Sequence, residues 1–309
     1  MTKDELEAIW ERTKNWGRWG PADERGALNF LTPERRREAA ALVRDGVAVS
    51  LAHDLPVEPS AETPGPAHHH MLAAGDARDE SGIPGYEASR DYIGTEVHGL
   101  GLTHVDALCH MFVRGRMYNG FPASDVRSNG AARNSILSLA DGLVGRGVLL
   151  DVPGALGVPF LEGRRQVRVA ELAAAEAFAQ VAVGEGDVLL VSTGRDARRA
   201  ASKGGLNPFT QGLAGLHPEC LPWLHERRVA ALGSDGISDV MPPLAIPDWP
   251  FPIHQIGITG LGLHLIDNLD LAPLAEACRA RKRWAFLFSA APIRVRHGTG
   301  SPLNPVAVF

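Results

Sequence analysis

Two patterns of apolar residues alternate along the chain: short unbroken runs, and longer stretches in which apolar residues repeat every three or four positions. The short runs are typical of buried strands, and the longer stretches are typical of amphipathic helices. The runs predict strands at residues 47–51, 102–106, 147–152, 187–192, 229–233, 263–266 and 284–293. The repeats predict helices at residues 5–15, 33–45, 169–181, 217–227, 252–262 and 271–281. Because strands and helices alternate, the pattern predicts an α/β layered domain.

Local signals mark where some of these elements begin and end. Thr32 and Pro33 are a typical N-cap and first helical residue, and Gly46 suits the position after a helix. Residues 54–90 are rich in Pro, Gly, Ala and acidic residues, which predicts a long irregular segment. Three consecutive histidines lie there, at residues 68–70. Since consecutive loop residues point in different directions, we do not expect them to share a metal ion.

Residues 1–32 form an aromatic arm on a single domain, which we expect to span residues 1–309 because no internal repeat or flexible linker divides the chain. Three of the six tryptophans lie in the first 19 residues, Trp16 and Trp19 among them. The arm is either a hydrophobic latch that ties down the N-terminus or an aromatic wall over a pocket, donated to a neighbouring subunit. Tyr118 precedes an Asn-Gly turn signal, so it either faces the substrate or packs beside the turn.

Polar residues interrupt the apolar strand at residues 102–106. In a strand, His104 and Asp106 point to the same face, with Cα atoms roughly 6.6 Å apart at ~3.3 Å per residue. His110 would return to the same place if the chain turned into a helix there. Two ionisable groups on one face of an apolar segment are costly to bury unless something pairs them. The pattern therefore indicates a bound cation or a catalytic role.

These residues resemble the signature of a known family. Residues 103–106, Thr-His-Val-Asp, followed by His110, are similar to the His-x-Gly-Thr-His-x-Asp-x-x-x-His motif of the cyclase family of metal-dependent hydrolases, which includes bacterial kynurenine formamidase and isatin hydrolase. Residues 26–34 are similar to the opening of longer-chain members, and residues 298–302 to their glycine-rich tail loop. The resemblance implies a single layered domain of the swivelling β/β/α type found in kynurenine formamidase.

The resemblance also implies one or two divalent metal ions, most commonly zinc or manganese, held by His104 and Asp106. His254 and Asp267 match the histidine and acidic residue that the family brings to the metal from a distant part of the chain, with Asp where Glu is more usual. His110, together with His104, is implied as the catalytic pair, with His110 as the acid/base.

One position departs from the family signature. The first histidine of the motif lies four residues before His104, where this chain has Leu100, which cannot bind a metal. His98 lies six residues before His104, roughly 20 Å away along a straight strand, so only a bend at Gly99 or Gly101 brings it in. Two functions therefore remain open: a metal-dependent hydrolase, and a metal-free cyclase, lyase or small-molecule-binding protein on the same fold.

Two further carboxylates, Asp235 and Asp239, follow the strand at residues 229–233 in a sequence similar to a family element. They either orient a ligand histidine or cap the next turn, and the cap, the usual role of Asp in loops, is the interpretation we favour.

The favoured hypothesis is hydrolysis of an amide, lactam or ester bond in a small aromatic or cyclic molecule. A metal-activated water would be the nucleophile, and His110 would accept a proton and return it to the leaving group. The residues expected to contact the substrate are Tyr118, Trp16, Trp19 and His98.

The composition of the chain limits the classes of partner that we expect. The formal net charge is −5 and no basic block is present, so neither nucleic acid nor an anionic membrane surface is an expected partner. No apolar run reaches the ~18 residues of a membrane span, and the charged N-terminus does not resemble a secretory signal. Three widely spaced cysteines suit a reducing cytoplasm. Cyclase relatives tend to be dimers or tetramers, which implies a homodimer or homotetramer acting on a small molecule.

Overall fold

A nine-stranded sheet forms the centre of the computed structural model, which describes residues 1–76, 83–202 and 205–309. Within those residues the strands, numbered in chain order, are β1 (Ala48–Ser50), β2 (His68–Ala73), β3 (Arg90–Gly94), β4 (His104–Asp106), β5 (Val126–Arg127), β6 (Gly130–Ala131), β7 (Leu143–Asp151), β8 (Gln166–Val167), β9 (Val188–Ser192), β10 (Gly215–Leu216), β11 (Ala231–Ser234), β12 (His264–Asp267), β13 (Ala285–Ala290), β14 (Gly300–Pro302) and β15 (Val306–Val308). The α-helices are α1 (Lys3–Thr13), α2 (Pro33–Ala40), α3 (Val152–Leu156), α4 (Val169–Ala179), α5 (Arg195–Ala201), α6 (Cys220–Arg227), α7 (Pro252–Ile256) and α8 (Ala272–Arg281).

The order of strands in the central sheet is β1-β15-β13-β7-β9-β11-β12-β4-β14. The middle strands β7, β9, β11 and β12 are parallel, and the strands on either side of them are antiparallel. β12 pairs with β4 so that Asp267 lies opposite His104, and β14 pairs with β4 so that Gly300 lies opposite Asp106. The register therefore brings three distant parts of the chain together at β4.

Alternate residues of the central strands enter opposite sides of the sheet. In β7, Val148 and Leu150 belong to one core cluster and Leu149 to the other, and Leu189 and Leu190 of β9 divide in the same way. This is the burial expected of a sheet covered on both faces, and it explains why these strands read as unbroken apolar runs. The α/β fold class predicted from the alternation is confirmed.

The segment at residues 54–90 is not irregular throughout, contrary to the sequence prediction. β2 and β3 pair as an antiparallel hairpin, while residues 77–82 lie outside the described residues. Cross-strand side-chain pairs accompany the pairing: His69 Nε2 lies 3.1 Å from Asp91 Oδ2, and the His70 ring stacks on Tyr92. The three consecutive histidines therefore belong to a strand.

Other elements differ from their predicted bounds. The helix predicted to reach residue 45 ends at Ala40, because the amides of Leu42 and Val43 bond three residues back in tighter turns. The helix predicted at residues 252–262 is α7 followed by a π-helical turn, Gly257–Leu261. The short elements α3, α5, β14 and β15 had no sequence prediction. Among the described residues, no helix combines the length and apolar character needed to cross a bilayer.

Candidate metal centre

Asp106 lies at the centre of the candidate site. Its side chain is buried, with 1% exposed, at the end of β4. One carboxylate oxygen, Oδ1, lies 2.8 Å from His98 Nδ1 and 3.5 Å from His104 Nε2. The other, Oδ2, lies 3.5 Å from His254 Nε2. Three imidazoles therefore converge on one carboxylate.

Asp267 adds a second carboxylate from the end of β12, with Oδ2 3.3 Å from His254 Nε2. The ligand atoms of His98, His104 and Asp106 all lie within 4.8 Å of one another, and so do those of Asp106, His254 and Asp267. Asp106 belongs to both groups, so the arrangement suits one ion or two adjacent ions. The structure thus brings together the four residues predicted as metal ligands, and their ligation stays a prediction.

Each imidazole around Asp106 is held by a hydrogen bond on the ring nitrogen that does not face the carboxylate. The pairs are His104 Nδ1 with Leu102 O (2.8 Å), His254 Nδ1 with Asp239 Oδ2 (2.8 Å) and His98 Nε2 with Thr299 Oγ1 (2.9 Å). An outside partner of this kind fixes the orientation of metal-binding histidines in proteins. All three rings are therefore directed toward Asp106.

Two buried carboxylate oxygens show that a metal ion would fit this site. Asp106 Oδ2 and Asp267 Oδ1 have no hydrogen-bond partner within the described residues. A buried polar atom without a partner costs free energy, and a divalent cation is the partner that a carboxylate oxygen can take here. Imidazole nitrogens and carboxylate oxygens in combination suit zinc or manganese. The donor set fits a metal ion.

The carboxylates and imidazoles set one another's charge. Burial would raise the pKa of Asp106, but the neighbouring histidines hold that pKa well below its ordinary value. Burial lowers the pKa of His104, yet the bond to Asp106 and the charges of Asp106 and Asp267 outweigh it and raise the pKa to about 9. Likewise, burial lowers the pKa of His254, but Asp267 and Asp239 together outweigh it and raise that pKa. The two buried carboxylates therefore stabilise positive charge between them. A divalent cation can supply that charge in place of the protonated histidines.

His110 follows β4 in a turn, where its amide bonds to the Ala107 carbonyl (2.9 Å), and not in the helix that the sequence allowed for. The turn still brings it to the site. Its ring stacks on His98 with centroids 3.7 Å apart and lies 6.4 Å from the His254 ring. Burial lowers the pKa of His110 to about 4, so the ring is neutral near pH 7 but is a weaker base than an imidazole that titrates near neutrality.

The aromatic residues expected to contact the substrate make internal contacts. Trp16 Nε1 donates to Thr259 O (2.6 Å), the buried Tyr118 hydroxyl donates to Asp23 Oδ2 (2.9 Å), and Trp19 packs edge-on against Phe30 (5.1 Å between centroids). These are the contacts of a latch that holds the N-terminal arm. A role of Trp16, Trp19 and Tyr118 at the substrate stays a prediction.

Asp235 and Asp239 each accept hydrogen bonds at the start of a helix. Asp235 accepts from the backbone amides of residues 193–195 at the start of α5, a helix earlier in the chain and not the next turn that the sequence favoured. Asp239 accepts from the amides of Ile253 and His254 (both 2.9 Å) at the start of α7. Because it also holds His254 Nδ1, Asp239 both caps the helix and orients a predicted ligand.

Three residues that support the site were not predicted from the sequence: Thr299, Asn268 and Arg195. Thr299 was signalled only indirectly, as a hydroxyl between two glycines in the loop that resembles the family tail. Asn268 follows a predicted ligand, and the buried Arg195 follows a strand by three residues without any motif. The partners of these side chains lie far away in the sequence, so no local pattern reveals them.

A further group, His53, Asp196 and Asp270, also has ligand atoms within 4.8 Å of one another. Asp196 already contacts the guanidinium of Arg199, which supplies the positive charge there. The group is therefore a weaker candidate than the buried cluster around Asp106.

Comparisons with known proteins agree with the resemblance seen in the sequence. A family model described as putative cyclase matches residues 47–239. A solved structure of a novel cyclase is 31% identical, with a TM-score of 0.87, over 96% of this chain and 100% of that one. Isatin hydrolase A from Labrenzia aggregata, solved with benzyl benzoate, is 24% identical, with a TM-score of 0.61, over 87% of this chain and 94% of that one, and shows likeness of fold.

A curated relative, isatin hydrolase of Roseibium aggregatum, is 27% identical over 128 residues, which is 41% of this chain and 46% of that protein. The match therefore spans less than half the length of that relative. The 128 matched residues relate the two sequences, and the fold likeness extends over most of the chain.

Proposed function

Since the chain belongs to the family of putative cyclases, we propose that it is a metal-dependent hydrolase that cleaves an amide, lactam or ester bond in a small aromatic or cyclic molecule. The observation that carries the proposal is the convergence of three imidazoles and two carboxylates at one place, where two carboxylate oxygens have no hydrogen-bond partner within the described residues. The relationship to isatin hydrolase supports hydrolysis as the reaction class.

His104, Asp106, His254 and Asp267 are the residues that would hold the metal, zinc or manganese. When bound, a divalent ion lowers the pKa of a coordinated water and polarises a carbonyl group. The chain's own contribution is to fix the donors: β4 and β12 are paired strands, and His254 of α7 contacts Asp267 of β12 and is held by Asp239.

His110 is the proposed acid/base. Its ring stacks on His98 beside the cluster and is neutral near pH 7. Because its pKa of about 4 makes it a weak base, it would accept a proton from an attacking water whose own pKa is lowered by the metal. The ring then returns the proton to the leaving nitrogen or oxygen. His98 holds the ring of His110 parallel to its own, which limits the directions in which that proton can move.

An apolar surface beside the metal residues supports a ring-containing substrate. The ring centroid of Phe251 lies 6.4 Å from that of His254. Phe251 and Leu100 pack against a small apolar cluster, distinct from the two main core clusters, made of Leu213, Ile237 and Met241. Apolar walls around a few polar groups are typical of small-molecule sites and keep competing water away.

Metal content and hydrolysis are measured together to test the proposal. Protein reconstituted with Zn²⁺ or Mn²⁺ is expected to hold one or two ions per chain and to open bonds in a panel of aromatic lactams, amides and esters. His104→Ala is expected to lose both properties. His69→Ala, which removes an imidazole 43% exposed on β2, is the matched control and should keep both. Hydrolysis that persists after the metal is chelated would contradict the proposal.

A second function is favoured by one observation: Leu100 stands where the family signature has its first histidine. A metal-free cyclase, lyase or small-molecule-binding protein on the same fold would use His104 and His110 as acid and base. The same metal analysis separates the two functions, because the second requires activity or ligand binding in protein that retains no ion after reconstitution.

We extend the proposal to the β/β/α fold type of kynurenine formamidase and to assembly as a homodimer or homotetramer. The β2–β3 hairpin supports an interface, since Leu72, Tyr92 and Ile93 are 54%, 50% and 58% exposed. A two-stranded hairpin is marginally stable alone, and exposed large apolar residues mark contact surfaces. Ile93→Asp is expected to lower the mass measured by light scattering; an unchanged mass would argue against this interface.

A further inference from the structure

The side chain at position 100 belongs to an apolar cluster. Leu100 packs with Phe251 against the small apolar cluster of Leu213, Ile237 and Met241. Its backbone carbonyl is held by Arg195. The family's first ligand position therefore contributes an apolar side chain to a neighbouring wall, while His98, two residues earlier, lies with Nδ1 2.8 Å from Asp106 Oδ1.

A bend in the backbone carries His98 to this place. In a straight strand, six residues would separate His98 from His104 by roughly 20 Å. The chain instead turns through Gly99, at φ +155°, a conformation that L side chains rarely adopt. Gly101 is needed for a different reason: a Cβ atom there would lie 1.8 Å from Thr63 Oγ1. Gly99 therefore permits the bend, and Gly101 makes room for the Thr63 side chain.

Buried side chains hold the carbonyl groups of the bent segment. Asn268 Nδ2 donates to Gly99 O (2.9 Å) and Leu102 O (3.0 Å), and Arg195 donates to the carbonyl between them. Arg195 Nη1 also donates to Asn268 Oδ1 (2.6 Å), so the two side chains support each other. Both are buried, at 1% exposed for Asn268 and 4% for Arg195. Hydrogen bonds to the carbonyl groups of residues 99, 100 and 102 therefore stabilise the bent conformation of this segment.

The glycine-rich tail loop, residues 298–302, positions the His98 ring. Thr299 Oγ1 lies 2.9 Å from His98 Nε2 and leaves Nδ1 directed toward Asp106. Gly300 makes room for the ring, because a Cβ atom there would lie 2.8 Å from His98 Cε1. One imidazole nitrogen of His98 is thus kept beside the buried carboxylate by the bend, by the side chains of Asn268 and Arg195, and by the tail loop.

We propose that His98 binds the metal through Nδ1 in place of the histidine that this chain lacks at position 100, with Thr299 as the positioning residue. The inference rests on the proposed function for the presence of a metal, and it assigns a ligand that the sequence motif does not contain. His98 thereby completes a group of three donors with His104 and Asp106.

Metal binding by the purified protein tests this assignment without any substrate. Zn²⁺ affinity is measured by calorimetry, and Co²⁺ is added to record the visible absorption bands that report its coordination. His98→Ala is expected to weaken Zn²⁺ binding by more than ~100-fold and to change the Co²⁺ spectrum, because a ligand contributes more than the residues that orient it. Leu100→Ala is the matched control, since it truncates the side chain in the motif position and should change affinity by less than about threefold.

Thr299 supplies an independent pair of variants in case the loss of His98 prevents folding. Thr299→Val removes the hydroxyl that holds Nε2 and is expected to weaken Zn²⁺ binding by ~10–100-fold. Thr299→Ser keeps the hydroxyl and should restore most of the affinity. A role of Thr299 in packing alone would not produce rescue by serine together with a restored Co²⁺ spectrum.

The outcomes separate the failure of this inference from the failure of the proposed function. If the unmodified protein binds Zn²⁺ and His98→Ala binds it equally well with the same Co²⁺ spectrum, His98 is not a ligand and the hydrolase proposal stands. If the unmodified protein binds neither ion, both proposals are overturned. Weakening by Leu100→Ala as large as that by His98→Ala would also overturn the assignment.

Discussion

At the scale of the residue, the carboxylate of Asp239 has two roles, because it caps a helix and orients a histidine. It accepts two backbone amides at the start of α7, at Ile253 and His254, and it also accepts the Nδ1–H group of His254. The first pair of bonds fixes where the helix begins. The third fixes the direction of the His254 ring, and therefore which nitrogen faces Asp106 and Asp267.

Asp239→Asn is predicted to weaken Zn²⁺ binding by ~10–100-fold, because the amide is a poorer acceptor for the imidazole N–H than the carboxylate is. Calorimetry at neutral pH measures the change. Asp141→Asn, at a side chain 80% exposed, is the control and should leave affinity unaltered. Equal affinity in Asp239→Asn and the control would mean that Asp239 serves only as a helix cap.

Single residues differ in how far their surroundings could be foreseen. His104 and Asp106 share a face because the strand period is two, so their proximity could be predicted from the sequence alone. The contact of His98 with Thr299 joins residues 201 positions apart, and that of Asn268 with Gly99 joins residues 169 positions apart. Such partners depend on how the sheet edge folds back, which no local pattern specifies.

At the scale of the element, an ion pair attaches the segment before β2 to helix α5. Glu62 Oε1 lies 2.7 Å from Arg195 Nη2, and Glu62 Oε2 lies 2.9 Å from Arg199 Nε. Burial would raise the pKa of Glu62, but the two guanidinium groups outweigh it and lower the pKa below its ordinary value of 4.5. The carboxylate therefore stabilises the folded state above pH 4.5, and that stabilisation is lost as the pH falls through the lowered value.

Glu62→Gln is predicted to lower the free energy of unfolding at pH 7 by about 3 kcal/mol, because it leaves the buried charge of Arg195 without its partner. The difference from the unmodified protein should shrink at pH values below 4.5. Urea unfolding at both pH values measures it. Glu34→Gln, in a pair whose carboxylate is 63% exposed, should change stability by less than about 1 kcal/mol. A difference that grows in acid would contradict the assignment of the lowered pKa.

The N-terminal arm makes the internal contacts expected of a latch, and its role as a wall over a pocket stays a prediction. Trp10 of α1 is 4% exposed, with its ring 5.7 Å from Trp16 and 5.9 Å from Trp249 between centroids. Trp10→Ala is predicted to lower the free energy of unfolding by about 3–5 kcal/mol and to leave Zn²⁺ affinity unchanged in the folded protein. Phe209→Ala, at a ring 60% exposed, is the control. A changed KM with unchanged stability would favour a wall over the pocket instead of a latch.

At the scale of the whole molecule, the central strands and the edge strand β1 were predictable, whereas β14, at the other edge, and β15 were not. The strands β7, β9, β11 and β12 are buried on both faces, so each leaves an apolar run in the sequence. β14 and β15 are three residues long and carry Gly, Ser and Pro or lie at the end of the chain, so neither leaves a readable run. The edge strand β14, which the sequence did not predict, follows Thr299 and contains Gly300. The contacts of these two residues with His98 were therefore not predicted either.

Metal binding is predicted to be coupled to the stability of the entire fold, because the proposed donors come from β4, α7 and β12 and the segment before β4. Holding these parts together requires the folded state, whereas the unfolded chain separates them. At a free Zn²⁺ concentration ~100 times the dissociation constant, the free energy of unfolding should rise by about 2.7 kcal/mol. Urea unfolding with Zn²⁺ and with a chelator measures the difference, and His104→Ala should show none. An equal gain in His104→Ala would place the stabilising ion at another site, such as the group that contains His53 and Asp270.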